Sequence, residues 1–115
     1  MVMVMIVLFA IAATGGIILA ALHFGKKPLP MWLALLHGLV AVCGVLVLVV
    51  ALMKLAAPTL LGVGLALFAI AAIGGLTLFI GFYIPKKRLS SPIVILHALF
   101  AVAGFVMILA YAMPH

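Results

Sequence analysis

The first 24 residues, Met1 to Phe24, carry no charge and only two polar side chains, Thr14 and His23. At 1.5 Å per residue, a helix of this length crosses a hydrocarbon core of about 30 Å. The run is too long for a signal-peptide core, and no basic segment precedes it. Three more apolar runs follow, at about 31–53, 59–84 and 92–113. In lipid, such runs satisfy their backbones only as helices. The fold class expected is therefore an all-α membrane protein of four transmembrane helices. Hydrophobic residues make up 72% of the chain and charged residues 5%. A soluble domain is roughly half apolar and a quarter charged, so that class is excluded.

The connections between runs are short. Gly25-Lys26-Lys27-Pro28-Leu29-Pro30 is a basic loop rich in helix breakers. Pro30 falls near the start of the second helix, where a missing N–H costs little. Lys54 to Pro58 reads as a turn. Pro85 to Ser91 is a second basic loop, with Ser91 placed as an N-cap and Pro92 at the first helical position.

The two halves of the chain match. Phe9-Ala10-Ile11-Ala12-Ala13-Thr14-Gly15-Gly16 aligns with Phe68-Ala69-Ile70-Ala71-Ala72-Ile73-Gly74-Gly75 at an offset of 59. Lys26-Lys27 aligns with Lys86-Lys87, and Leu36-His37 with Leu96-His97, at an offset of 60. One residue is therefore gained between Gly75 and Lys86. The expected domain organisation is two tandem helical hairpins, 1–55 and 58–115, each with its basic loop at the same end. Two spans per unit give the copies parallel topology and a pseudo-twofold along the membrane normal.

Five of the six cations, Lys26, Lys27, Lys86, Lys87 and Arg88, lie in the hairpin loops, and Lys54 lies in the middle connection. The positive-inside rule puts the hairpin loops in the cytoplasm and both termini outside, as for a multi-pass protein of a bacterial inner membrane. Trp32 and Tyr83 then fall at the cytoplasmic interface and Tyr111 at the outer one, as aromatic belts require. Six cations confined to connections do not form the broad basic face that a nucleic-acid binder needs. Small residues mark close helix packing: Ala12, Gly16 and Ala20 on the first helix, Ala71 and Gly75 on the third. Such faces invite a second copy or other membrane subunits.

A histidine inside a membrane span is costly and marks a candidate site. His37 lies seven residues after Pro30 and His97 five after Pro92, which sets both roughly 8–10 Å inside the basic helix ends. Their helices carry them on one face with Ala41 and Gly44, and with Ala101 and Gly104. The chain has no Asp, Glu, Asn or Gln. Each imidazole must therefore find a backbone carbonyl, a hydroxyl, water, a metal or a partner subunit. Two readings follow. In one, the histidines are buried hydrogen-bonding residues. In the other, they are the two axial ligands of one haem b, each from one of two related helices. The macrocycle is then expected against Gly44 and Gly104, with Gly16 and Gly75 also near. Its propionates are expected beside Lys26, Lys27, Lys86, Lys87 and Arg88. With both axial positions filled, the role is electron transfer, with quinone as a candidate exchange partner. The arrangement resembles the paired-histidine haem sites of small four-helix membrane cytochromes of the cytochrome b561 kind. That resemblance is carried by two residues and the architecture.

Other chemistries lack their residues. No carboxylate orients a base for hydrolysis, and oxygen ligands for Mg or Ca are missing. Two histidines fall short of the four ligands of structural zinc. No Cys-x-x-Cys-His allows covalent haem, and Cys43 stands alone. Small multidrug transporters and fluoride channels share this size, but their membrane carboxylate and their Asn and Arg positions have no match. The competing reading is an accessory subunit of a respiratory or photosynthetic membrane complex, without its own cofactor. His23, opposite Phe82 or Tyr83 in the other half, reads as a solvated interfacial residue, and His115 as a terminal residue.

The loop charge bias generates the first prediction. An alkaline phosphatase fused after His115 should be active outside the cytoplasm. A fusion at this point that works only inside the cytoplasm reverses the orientation.

Overall fold

The computed structural model describes residues 1–55 and 59–114. The last three residues of the expected middle turn, 56–58, and His115 lie outside the described residues. The chain forms α1 (Val2–Phe24), α2 (Met31–Lys54), α3 (Thr59–Leu78), a π-helical turn (Phe79–Tyr83) and α4 (Ser91–Ala112). All four spans are long and apolar enough to cross a membrane, which makes this a multi-pass membrane protein. The bundle is 44 Å long and about 20 Å across.

Each hairpin packs on itself, α1 on α2 and α3 on α4. Contacts of α1 with α4 and of α2 with α3 close the ring. This leaves α1 facing α3, and α2 facing α4, across the two diagonals. Only large side chains bridge them. Phe9 of α1 and Phe68 of α3 stack with centroids 4.1 Å apart and planes 5° from parallel. The outer side of each ring lies on a glycine. A Cβ placed on Gly44 of α2 would sit 2.8 Å from the Phe9 ring, and one on Gly104 of α4 would sit 3.1 Å from the Phe68 ring. The order Gly44, Phe9, Phe68, Gly104 thus ties all four helices together in one aromatic layer. Below it, towards the chain termini, Met5, Leu48, Leu61 and Ile108 are fully buried. With Ala51 they extend the same apolar core.

The hairpin loops end their helices in the same way. Lys27 N–H donates to Leu22 and Lys26 N–H to His23, while Lys87 N–H donates to Phe82 and Lys86 N–H to Tyr83. These are the two paired bonds of a Schellman cap. The cap requires a left-handed residue, and Lys26 (φ 58°) and Lys86 (φ 60°) supply it. Glycine is usual there, and a side chain costs about 1 kcal/mol.

One local expectation is refined and another corrected. The third span runs unbroken over Thr59–Tyr83, close to the expected 59–84, but from Phe79 it is a π turn, with Ile84 N–H donating to Phe79 five residues back. A π turn absorbs one extra residue without breaking the helix. It lies between Gly75 and Lys86, where the offset between the matching halves changes from 59 to 60. Ser91 was expected as an N-cap. The cap position is Ser90, without a side-chain bond, and Ser91 is already helical with Pro92 after it. The Ser91 hydroxyl is engaged elsewhere, as described below.

The aromatic layer generates the second prediction. Gly44→Ala forces a methyl group onto Phe9, which cannot retreat because Phe68 covers its other face. A loss of about 1–3 kcal/mol in unfolding from detergent micelles is expected. Gly38→Ala meets nothing within 4 Å and should be neutral or slightly stabilising. Equal stability of the two variants would contradict the layer.

Candidate functional site

One to two turns from the aromatic layer, towards the basic loops, α2 and α4 present His37 and His97 across their diagonal. The ring centroids are 6.2 Å apart and the planes 86° to one another. His37 Nδ1 lies 2.7 Å from the carbonyl oxygen of Ala12 on α1. His97 Nδ1 lies 2.6 Å from that of Ala71 on α3. A carbonyl can only accept, so each Nδ1 carries the proton and donates it. In the neutral imidazole, Nε2 is then left with its lone pair.

The glycine pairs explain why these carbonyls are reachable. In an α-helix a carbonyl already accepts from the N–H four residues on, and the side chains three and four residues on crowd its outer side. For Ala12 those residues are Gly15 and Gly16, and for Ala71 they are Gly74 and Gly75. Neither pair has a Cβ, so the imidazole comes down onto bare backbone. A Cβ on Gly16 would sit 3.0 Å from His37 Cε1, and one on Gly75 would sit 3.0 Å from His97 Cε1. A Cβ on Gly15 or Gly74 would sit 3.5 or 3.3 Å from the Cβ of the same two histidines.

The two Nε2 atoms make no hydrogen bond to protein among the described residues. Nor is either sealed away, because no buried side-chain nitrogen or oxygen among the described residues lacks a partner. Each Nε2 therefore opens onto accessible space. No group of three or more His, Cys, Asp or Glu side chains comes together among the described residues. The protein donor set offered here is two imidazoles. Two imidazoles do not complete the coordination of a metal ion, so any ion held by this pair would need a bound group to supply its other ligands.

The structure reassigns the small residues around the pair. The room beside Gly44 and Gly104 is taken by Phe9 and Phe68, and the room beside Gly16 and Gly75 by the imidazoles themselves. These glycines seat the chain's own rings. Lys26, Lys27, Lys86, Lys87 and Arg88 do converge, around an open basin of about 630 Å³ at the loop end of the bundle. On the lipid-facing side, a smaller groove of about 210 Å³ reaches His97 between α3 and α4, past Gly74 and Phe100.

His23 departs from its expected solvated state. It is 5% exposed, and its Nε2 shares a 2.9 Å hydrogen bond with the Ser91 hydroxyl at the start of α4. Tyr83, at the end of the π turn, donates its hydroxyl to the Leu29 carbonyl at 2.6 Å, in the loop before α2. The two bonds run in opposite directions between the hairpins and latch them beneath the basin. Sequence reasoning missed this latch, although one signal was present: His23 and Tyr83 are where the matching halves differ. Trp32, expected at the interface, is 66% exposed at this same end. Tyr111 packs against the core at the other end. Cys43 is exposed on the bundle surface.

Comparison with family models, curated proteins and solved structures finds no match to this chain.

Proposed function

We propose that the chain is a small membrane b-type cytochrome, in which His37 and His97 would hold one haem b. The observation that carries this reading is the matched pair of imidazoles, each with Nδ1–H bound to a backbone carbonyl and its ring 6.2 Å from the other. A ligating histidine is typically fixed in this way, its second nitrogen tied to a carbonyl so that tautomer and ring orientation are set and its basicity raised. Two neutral histidines also suit haem iron better than zinc, because the macrocycle brings the remaining four donors.

When bound, haem b supplies a one-electron redox couple. The chain's own residues hold and tune it. The carbonyls of Ala12 and Ala71 keep the protons on Nδ1. Gly15, Gly16, Gly74 and Gly75 let the imidazoles lie low against α1 and α3. The stacked Phe9 and Phe68 floor the site on the side away from the loops. The cations of the two hairpin loops would neutralise its propionates. The chemistry such a group would supply is one-electron transfer, within or towards a larger membrane complex, with quinone as a candidate exchange partner. The matched contacts of the two hairpins support a pseudo-twofold that passes between the two histidines and between the two phenylalanines. The setting proposed is a bacterial inner membrane, with the basic loops in the cytoplasm and both termini outside.

An accessory subunit without a cofactor is the second reading. It is favoured by the shortness of the loops and by the Nδ1 bonds, which already give each imidazole one protein partner.

Expression with ample haem supply distinguishes the two. The purified protein should show the Soret and α bands of a low-spin haem, and His37→Ala and His97→Ala should each abolish them. His115→Ala should leave them nearly intact. Wild-type protein without haem, or a spectrum unchanged in both histidine variants, would leave the accessory reading.

A further inference from the structure

We infer that the basin at the loop end of the bundle binds a phosphate-bearing anion, either the headgroup of an anionic lipid or a free phosphate. The inference does not depend on haem. Lys26 and Lys27 from the first loop and Lys86, Lys87 and Arg88 from the second line one cavity of about 630 Å³. Five like charges around one hollow repel one another, and the chain contains no Asp or Glu to offset them. The counter-charge has to come from outside the chain. Even with a haem in place, its two propionates answer two of the five cations and leave three.

The backbone indicates that these lysines are held there at a cost. Lys26 and Lys86 each occupy the left-handed position of a Schellman cap, where glycine is the less strained residue. Strain of this kind at matching points of two loops points to a use for the side chains. The caps set Lys26-Lys27 and Lys86-Lys87 as adjacent pairs at the two helix ends. The bonds His23–Ser91 and Tyr83–Leu29 then fix one loop against the other. The basin is thus built between elements tied on both sides. Its chemistry is that of a phosphate site: a guanidinium able to bind two oxygens at once and four ammonium groups as point charges. Leu29, Met31, Ile84 and Leu89 add an apolar part to the same wall, which suits the glycerol and first acyl carbons of a lipid.

The test uses the full chain, purified without haem in a neutral detergent, with circular dichroism to verify the fold of each variant. Retention of phosphatidylglycerol against phosphatidylcholine is read by native mass spectrometry. Binding of inorganic phosphate and pyrophosphate is read by phosphorus NMR. A preference of about tenfold or more for the anionic lipid, or saturable phosphate binding, is expected. The first outcome identifies a lipid headgroup and the second a free phosphate. The combined variant Lys27→Gln, Lys87→Gln, Arg88→Gln should lose about tenfold, whereas Lys54→Gln, at the other end of the bundle, should lose nothing. The pair Lys26→Gly and Lys86→Gly separates binding from folding, because it relieves both caps: thermal stability should hold or rise while retention falls. The proposal is overturned if neither ligand is preferred, if Lys54→Gln weakens retention as much as the triple variant, or if the glycine pair retains ligand as well as the wild type. None of these readouts involves haem, so the fate of the haem reading leaves the result unchanged.

Discussion

Two backbone carbonyls, those of Ala12 and Ala71, carry the rest of this structure. An imidazole inside an apolar bundle must place its N–H on an acceptor, and this chain has no acidic or amide side chain to offer. A helix carbonyl can take a second hydrogen bond only if the residues above it leave room. Gly15-Gly16 and Gly74-Gly75 provide that room. A hydrogen bond of this kind between membrane helices contributes about 0.6–2 kcal/mol. Its larger consequence is chemical. The proton is fixed on Nδ1, which in the neutral ring leaves the lone pair on Nε2, and each ring is held at a set height along the bundle.

The same device, a ring lowered onto a glycine, recurs one layer deeper in the stack from Gly44 through Phe9 and Phe68 to Gly104. The helix faces carry little polarity to specify how they meet, so shape has to do it. Apolar residues alone do not drive helices together in lipid; close van der Waals contact does. Successive layers bind the four helices at different heights: the buried Met5, Leu48, Leu61 and Ile108, then the phenylalanines, then the histidines, then the latch at His23 and Tyr83. The layers nearest the loops are the polar ones. That gradient places the chemistry at the basic end and the packing core at the other.

The spans were legible because hydropathy and breakers mark them directly. Expected limits of 31–53 and 92–113 became Met31–Lys54 and Ser91–Ala112. His37 and His97 were legible as a pair because no other titratable residue recurs at matching points of two spans. What was not legible depends on the third dimension. Phe9 and Phe68 were visible as matching residues, but which gap they fill is decided by helix rotation. Gly44 and Gly104 looked like room for a flat group, and the chain fills that room itself. The one-residue change in offset was visible, yet a π turn and a longer loop predict the same count. His23 looked solvated because it sits near a helix end. Its burial depends on α4 arriving beside α1, a contact between residues 68 apart in sequence.

The central claim is that His37 and His97 each donate Nδ1–H to a backbone carbonyl and leave Nε2 without a protein partner among the described residues. Nitrogen solid-state NMR of selectively histidine-labelled protein in lipid bilayers, prepared without haem at neutral pH, measures this directly. The account predicts that both rings show a protonated Nδ1 whose proton is in a hydrogen bond. Two rings protonated at Nε2 alone, with a bare Nδ1, would contradict it.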